Sequence, residues 1–318
     1  MADGTGKVVE FVCHGFTRIH TDLKNRNTQA REMTSETQEN QFPQNQVLLS
    51  ARFSVRYAGK LPVLRDVQFE IRRGEVLGLV GQSGSGKSTL AMAILGLLDK
   101  KRSQAEGTIR FQDSELLQLS ERELRALRGR AVALVLQSPL SSLNPVLKIR
   151  TQLKEAWRAH ASGTSEDCTN AIRASLQSVS LPADDDFLRK YPSQMSVGQA
   201  QRVLIAMAVM HRPALLIADE ATSALDVITQ SEILTLFREL NRSTGMAILY
   251  ISHDLASVAG ICDRIAILHQ GAIVECGTTH QIFSHPQHEY TQKLMAALPR
   301  ILLSNSQPPM KTEAATAR

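Results

Sequence analysis

One short segment in the first third of the chain constrains the fold more than any other feature. Residues 81–89 read GQSGSGKST, which fits the pattern G-x-x-x-x-G-K-[ST]. The apolar run Val76 to Val80 before it predicts a buried strand, and residues 89–98 after it predict a helix. A strand, a glycine-rich loop and a helix in this order are typical of a phosphate-binding loop in an α/β fold.

The residue types in this loop suit phosphate chemistry. Glycines let the backbone turn its N–H groups toward phosphate oxygens, and the start of the next helix adds partial positive charge. We expect Lys87 to reach the β- and γ-phosphates and Ser88 to bind Mg²⁺. A plain turn with a chance lysine is the alternative, which the strand and helix on either side disfavour. The residues expected to bind nucleotide are Gly81, Ser83, Gly84, Ser85, Gly86, Lys87, Ser88 and Thr89.

Two carboxylates end a second apolar strand. Residues 214–218 predict the strand, and Asp219 and Glu220 follow it directly. We expect Asp219 to hold the metal ion and Glu220 to polarise an attacking water. The alternative is that the acids only cap the following helix, which is disfavoured once a phosphate loop is present.

A capping pattern marks a third element. Ser196 and Gln199 have the spacing of a capping box at the start of a helix predicted over residues 200–210. Such a cap leaves the helix N-terminus free to bind an anion. It is either an ordinary helix start or a grip on the γ-phosphate of an ATP bound to another copy.

These motifs, in this order, resemble the nucleotide-binding subunits of ABC transporters over about residues 47–299. The resemblance implies that Tyr57 stacks on adenine, that Gln137 is the Q-loop glutamine and that His253 is the switch histidine. None of these three residues indicates its role alone. Their positions in the order of the family's motifs along the chain support the three roles. The matching segments are the Walker A loop 81–88, the signature 195–199, the Walker B strand 216–220 and the D-loop 223–226.

The resemblance also implies a role for each site residue. The implied catalytic residues are Glu220, His253, Gln137 and Lys87. The implied metal ligands are Ser88, Gln137 and Asp219. The signature and D-loop add the nucleotide-binding residues Ser196, Gly198, Gln199 and Asp226, which would act on ATP held between two cassettes. The implied cofactors are ATP and Mg²⁺.

Two further segments narrow the resemblance to the peptide/nickel importer group. Residues 137–145 resemble the segment that follows the Q-loop in that group, and residues 282–291 resemble its C-terminal extension. We therefore expect an ATP-hydrolysing subunit of an importer of peptides, nickel or similar small solutes. The alternatives are an accessory ATPase of a phosphonate-cleaving complex, whose relatives share both segments, and a soluble ABC ATPase without transport. A P-loop kinase is disfavoured, because kinase chemistry does not require the signature.

Three departures from the family pattern bear on this hypothesis. Met195 and Val197 replace the usual leucine and glycine of the signature, and Ala221 stands where proline is common. A valine at 197 would be strained if the backbone there required a positive φ. The cysteine cluster of an iron–sulfur centre, frequent at the C-terminus of the group, is missing, so no such cofactor is expected.

Composition and hydropathy bear on location and partners. The longest apolar run, Val203 to Met210, is far shorter than the ~20 residues of a membrane-spanning helix. The resemblance implies a peripheral protein on the cytoplasmic face of the inner membrane. Its implied partners are membrane-spanning permease subunits, a second ABC ATPase subunit, identical or related, and indirectly an extracytoplasmic solute-binding protein. The net charge of +5 is dispersed, and no nucleic-acid partner is expected.

The expected fold class is α/β, with a P-loop NTPase core, an antiparallel β layer and a helical subdomain. Residues 34–46 are polar and predict disorder. Met33 offers an alternative translation start. The expected division is a disordered N-terminal extension 1–46, an ABC ATPase domain 47–276 with its helical subdomain at about 139–199, a C-terminal extension 277–303 and a disordered tail 304–318.

Overall fold

The computed structural model describes residues 46–59 and 61–297. Two sheets form its centre, one of six strands and one of four. The predictions for the N-terminal extension, for the start at Met33 and for the tail 304–318 fall on residues outside this range, apart from residue 46.

The larger sheet holds the buried strands that the sequence predicts around the phosphate loop. In spatial order its strands are β10 (Ala272–Thr278), β9 (Arg264–His269), β3 (Val76–Val80), β8 (Ala247–Ser252), β7 (Leu215–Asp219) and β6 (Val132–Val135). All neighbours run parallel except β10, which is antiparallel to β9. Val80 of β3 pairs with Ser252, and Asp219 of β7 pairs with Ile251. Three strands therefore end side by side at one edge of the sheet.

The smaller sheet is antiparallel and covers one side of the core. In spatial order its strands are β2 (Pro62–Arg72), β1 (Val47–Tyr57), β4 (Ser103–Phe111) and β5 (Ser114–Glu115). Alternate residues of β1 point inward, and Phe53 is 1% exposed. The inward side chains pack with Leu79, Leu249 and helix α1 (Lys87–Ile94) into one apolar cluster. This cluster holds the helix that follows the phosphate loop against both sheets.

Helices form a lobe between β6 and β7. After α2 (Glu121–Leu127), the helices of this lobe are α3 (Pro139–Ser142), α4 (Ile149–Arg158), α5 (Ser165–Ser178), α6 (Asp185–Arg189) and α7 (Val197–Val209). Helix α5 begins inside the polar segment 162–169. The reason is that Thr164 and Asp167 form a capping box there.

The last helices pack onto the parallel sheet. They are α8 (Val227–Thr244), α9 (Leu255–Ile261), α10 (Thr279–Ser284) and α11 (Glu289–Ala296). Ile282 of α10 and Met295 of α11 are buried in the same apolar cluster as Val76 and Val80 of β3. The segment after β10 is thus part of the core rather than an appendage. No helix within the described residues has the length and apolar character needed to cross a bilayer.

Candidate nucleotide-binding site

The loop after β3 has the tight backbone that the sequence predicts for phosphate binding. A Cβ atom at Gly81 would lie 2.4 Å from the carbonyl oxygen of Leu268. Gly86 has a φ of +108°, and a Cβ atom there would lie 2.6 Å from Leu64 Cδ2. A larger residue at either position would displace the loop from the strands beneath it. The loop therefore depends on glycine for its shape.

Lys87 lies inside this loop. Its side chain is 5% exposed, and Nζ donates to the carbonyl oxygens of Gly81 at 2.8 Å and Gln82 at 3.1 Å. Burial lowers the pKa of Lys87, and the nearby charges of Glu220 and Asp219 oppose that shift. A buried ammonium held only by carbonyls and one carboxylate 3.9 Å away can gain from a stronger anion.

An open pocket of about 190 Å³ lies against the loop. Its size and polar lining suit phosphate groups rather than an apolar ligand. It is lined by Val63, Ser83, Gly84, Gly86, Lys87, Ser88, Thr89 and Glu220. Seven of these eight residues belong to the predicted site. Val63 is a residue that sequence reasoning missed.

Asp219 ends β7 beside Ser88 and fits a metal ion. Its Oδ1 atom is buried and has no hydrogen-bond partner. Burial raises the pKa of Asp219, a hydrogen bond with Ser88 lowers it, and the charge of Glu220 raises it further. A hydroxyl next to an unpartnered buried carboxylate oxygen is a donor set that Mg²⁺ prefers. Gln137, the third predicted ligand, is exposed in the segment between β6 and α3.

Glu220 follows Asp219 and turns its carboxylate toward two basic groups. Its Oε1 atom lies 3.9 Å from Lys87 Nζ and 3.4 Å from His253 Nδ1. Its φ is +50°, which is uncommon outside glycine, and its N–H donates to the carbonyl oxygen of Ile251 at 2.9 Å. The backbone strain fits a functional position.

A buried hydroxyl network supports the segments that carry Glu220 and His253. The Tyr250 hydroxyl lies 2.9 Å from Thr222 Oγ1 and donates to Ser257 Oγ at 3.2 Å. Tyr250 is fully buried in β8. Sequence reasoning missed this network, because isolated threonine, tyrosine and serine residues give no local signal of a contact across elements.

The signature segment forms the N-terminus of α7, as its capping pattern predicts. Ser196 Oγ accepts from the Gln199 N–H at 3.1 Å, and the Gln199 side chain accepts from the Ser196 N–H at 3.3 Å. Val197 is the first residue of the helix and is not among the described residues with positive φ. The strain considered for a positive φ at Val197 is therefore not present in this structure.

Gly198 and Asp226 connect the signature to α8. A Cβ atom at Gly198 would lie 2.7 Å from Cγ2 of Thr229. Asp226 caps α8 and accepts from the N–H groups of Ile228 and Thr229. These bonds hold the pKa of Asp226 below its usual range. The two helix starts are therefore in contact, and this contact explains the glycine at 198.

The other predicted nucleotide-binding residues lie outside the pocket wall. The described residues lining the pocket do not include Ser196, Gly198, Gln199 or Asp226. Tyr57 also lies outside it, at the end of β1, where it pairs with Ser103 and packs partly buried against the core. One copy of the chain thus brings the phosphate loop, the two acids and His253 together, but not the signature.

Comparison with known proteins decides the family. The family model for the ABC transporter matches residues 64–223, half of the chain. The chain belongs to the ABC transporter family. A second model, for the oligopeptide/dipeptide transporter C-terminal region, matches residues 274–316 of this ABC ATPase.

Named relatives and solved structures agree with this assignment. The dipeptide transport ATP-binding protein DppD of Bacillus subtilis is 38% identical over 252 residues, which cover 79% of this chain and 75% of DppD. The oligopeptide transport ATP-binding protein OppD of Haemophilus influenzae is 42% identical over 243 residues, covering 76% of this chain and 75% of OppD. The glutathione import ATP-binding protein GsiA of Escherichia coli is 41% identical, but this chain spans only 40% of its length.

Two solved structures with a similar fold come from ABC transporters. A post-hydrolysis dimer of the cassette MJ0796 bound to ADP and Pi has a TM-score of 0.62 and 28% identity, covering 73% of this chain and 98% of MJ0796. The protein cbiO1 of Clostridium perfringens has a TM-score of 0.67 and 25% identity, and the match covers 81% of this chain and 98% of cbiO1. The predicted family and fold class and the prediction of an ATP-hydrolysing transporter subunit are confirmed. The non-transport and phosphonate alternatives are not favoured.

Proposed function

We propose that this ABC ATPase binds ATP with Mg²⁺ at the pocket beside Lys87 and powers the import of peptides or related small solutes. The observation that carries the proposal is the convergence of Lys87, Glu220 and His253 at the phosphate loop. The substrate class rests on the names of DppD and OppD and on the match of residues 274–316 to the C-terminal region of peptide transporters. Nickel is the second cargo class of the group that the sequence resembles.

In the proposed reaction the loop receives the phosphates. Lys87 leaves the carbonyls of Gly81 and Gln82 and pairs with the β- and γ-phosphates, which are stronger acceptors. The N–H groups around Gly84, Gly86 and Ser88 donate to the remaining phosphate oxygens. Tyr57 would stack on the adenine at the end of β1, on the side of the smaller sheet.

The metal would be held by Ser88 and Asp219, and Gln137 would join them by moving inward. Asp219 supports this role because its Oδ1 atom is buried without a partner. Bound Mg²⁺ supplies charge neutralisation at the phosphates. Glu220 would orient the attacking water and accept its proton. His253 would hold that water in place on the side of the γ-phosphate.

The second half of the site would come from another cassette. The N-terminus of α7 is formed by Ser196, Gly198 and Gln199, and its dipole favours an anion. Asp226 caps helix α8, whose start contacts the start of α7. We propose that two cassettes, identical or related, close on two ATP molecules and that hydrolysis reopens them. The closure would push on membrane-spanning permease subunits at the cytoplasmic face of the inner membrane, with a solute-binding protein delivering the cargo outside.

Uptake in cells tests this function. Deleting the gene from its host should abolish growth on a peptide that serves as the sole source of a required amino acid. The wild-type gene should restore growth, and the Glu220→Gln variant, expressed at the same level, should not. Unchanged peptide uptake in the deletion strain, measured with a labelled di- or tripeptide, would overturn peptide import. Nickel uptake measured in the same strains distinguishes the second cargo class.

A further inference from the structure

Tyr250 places a hydroxyl in the middle of an apolar strand. Strand β8 (Ala247–Ser252) is buried along its whole length, and Tyr250 is 0% exposed. Its ring packs edge-on against Phe237 of α8, with ring centres 6.4 Å apart and planes 61° apart. A phenylalanine would fill this apolar space as well, and a buried hydroxyl costs free energy unless it is hydrogen-bonded. Packing alone therefore does not explain the hydroxyl.

The hydroxyl belongs to a chain of hydrogen bonds that runs in one direction. Ser257 Oγ donates to the carbonyl oxygen of Asp254 at 2.8 Å, so its single proton is used there. The Tyr250 hydroxyl donates to Ser257 Oγ at 3.2 Å and lies 2.9 Å from Thr222 Oγ1. Because Tyr250 gives its proton to Ser257, Thr222 donates to Tyr250. Burial raises the pKa of Tyr250, which keeps the phenol protonated and able to donate.

The two ends of this chain of bonds lie beside the Glu220–His253 pair. Thr222 is the second residue after Glu220, and Asp254 directly follows His253. The backbone joins the same two segments once more, because the Glu220 N–H donates to the carbonyl oxygen of Ile251 at 2.9 Å. The phenol hydroxyl therefore bridges the segment that carries the carboxylate and the segment that carries the imidazole.

The segment of His253 is held on both sides of the histidine. Ser252 Oγ accepts from the N–H of Asp254 at 3.0 Å and lies 3.4 Å from Ser257 Oγ. Both chain neighbours of His253 thus belong to the hydroxyl network, whereas the imidazole itself is largely exposed. The distance of 3.4 Å between His253 Nδ1 and Glu220 Oε1 consequently depends on how far apart the network holds the two segments.

We propose that Tyr250 is a positioning residue for ATP hydrolysis, setting the spacing of Glu220 and His253 through the two hydrogen bonds of its hydroxyl. The inference deepens the proposed function and rests on the roles given there to Glu220 and His253. A general base has to lie within hydrogen-bond reach of the water that it activates, so a small change in spacing slows the chemical step. The described residues that line the pocket do not include Tyr250, so ATP affinity should not depend on this hydroxyl.

The hydroxyl is tested with Tyr250→Phe, which keeps the ring on Phe237. In the purified full chain, kcat for ATP with Mg²⁺ should fall roughly threefold to thirtyfold, less than the ~100-fold cost of a 1 Å misplacement. The KM and the Kd for ATP should stay at wild-type values. Ser175→Ala is the control, because it removes another buried hydroxyl in the helical lobe, and it should leave kcat unchanged. A lower melting temperature with an unchanged kcat would show a role in stability alone and overturn the proposal.

Thr222 supplies a matched pair of variants that decides the question even where Tyr250→Phe folds poorly. Thr222→Ser keeps the hydroxyl that donates to Tyr250, whereas Thr222→Val keeps the shape of the side chain and removes the hydroxyl. The kcat should fall in Thr222→Val and stay near the wild-type value in Thr222→Ser, with KM unchanged in both. Combining Thr222→Val with Tyr250→Phe should add little, because both act through one chain of bonds. Equal kcat values for the two Thr222 variants would overturn the proposal.

A double-mutant cycle with His253 gives a readout that a purely structural role would not move. His253→Ala should lower kcat, and Tyr250→Phe should lower it clearly less in that background than in wild type, because its effect passes through the placement of the imidazole. Equal fold losses in the two backgrounds would overturn the positioning role. Near-normal turnover of Glu220→Gln would overturn the proposed site roles and this inference with them. Normal turnover of Tyr250→Phe in a chain that needs Glu220 would overturn the positioning role alone.

Discussion

Glu220 Oε1 lies 3.4 Å from His253 Nδ1, although 33 positions separate the two residues. The pairing arises because β7 and β8 are parallel neighbours and both residues follow the ends of those strands. Glu220 is 23% exposed and His253 is 57% exposed, so solvent reaches both side chains. A carboxylate next to an imidazole at the mouth of a phosphate pocket is suited to orienting a water molecule.

The first prediction concerns this carboxylate. Glu220→Gln should lower ATP turnover by about 10²- to 10⁴-fold, the range for losing a general base, because the amide cannot accept the proton. ATP binding should stay within a few-fold of wild type, since Lys87 and the loop are untouched. Steady-state hydrolysis measured beside nucleotide affinity checks this. The variant should also form a dimer with ATP in size-exclusion chromatography, and near-normal turnover would remove Glu220 from its role.

Lys87 gives the opposite pattern. Lys87→Ala should weaken ATP binding itself by about tenfold to a hundredfold, as expected for losing charge-assisted hydrogen bonds to phosphate. Exposed Lys100 provides the control, and Lys100→Ala should bind ATP like wild type. Titration with a fluorescent ATP analogue measures both. Unchanged affinity in Lys87→Ala would contradict the placement of the phosphates beside Nζ.

The chemistry of the site could be predicted from the sequence better than its contacts. The loop, Asp219, Glu220 and the cap at Ser196 depend on local spacing, and the structure places the first three together. The contact of Gly198 with Thr229 joins residues 31 positions apart, so no local pattern encodes it. The same holds for Val63, which lines the pocket from the start of β2 at Pro62.

Within the expected antiparallel layer, strand β4 was the least predictable element. Strand β4 has a mostly exposed, polar sequence, so it lacks the alternation that marks a half-buried strand. Strand β4 forms because nine of its residues pair with residues of β1. Proline as the first residue of β2 suits an edge strand. Long-range pairing therefore decided these elements, whereas the buried parallel strands were visible as apolar runs.

Gly198 should tolerate no side chain while Thr229 keeps its methyl group. Gly198→Ala would bring Cβ to 2.7 Å from Thr229 Cγ2 and push the starts of α7 and α8 apart. We expect a loss of about 1–3 kcal/mol in stability, the usual range for overpacking. Thr229→Ser removes the methyl group and keeps the hydroxyl that donates to Asp226, so the double variant should recover most of the loss. Equal melting temperatures for the single and double variants would contradict this contact.

His160 should make the protein sensitive to mild acid. Burial, assisted by the charges of His211 and Arg130, lowers the pKa of His160 to about 4, from an ordinary value of 6.5. Below about pH 6.5 the unfolded chain therefore binds a proton at His160, whereas the native state does not. The free energy of unfolding consequently decreases as the pH falls from 6.5 toward 4. In His160→Gln the drop in melting temperature between about pH 7 and about pH 5 should be smaller than in wild type. His280→Gln, an exposed control, should keep the full drop.

The last prediction concerns the departure of the signature from the family pattern. Val197 is the first residue of α7 and has a helical backbone, so its β-branched side chain is not strained in this structure. The side chain is 38% exposed and lies on the helix end that faces the proposed second cassette. Val197→Gly should therefore leave the ATP turnover of the assembled transporter within about twofold of wild type, as for most exposed substitutions. Val197→Ala separates the two effects of this change, because it removes the side chain without adding glycine's freedom. A marked rise in turnover for Val197→Gly alone would mean that the closed dimer needs a positive φ at 197, and the substitution would then impair the signature.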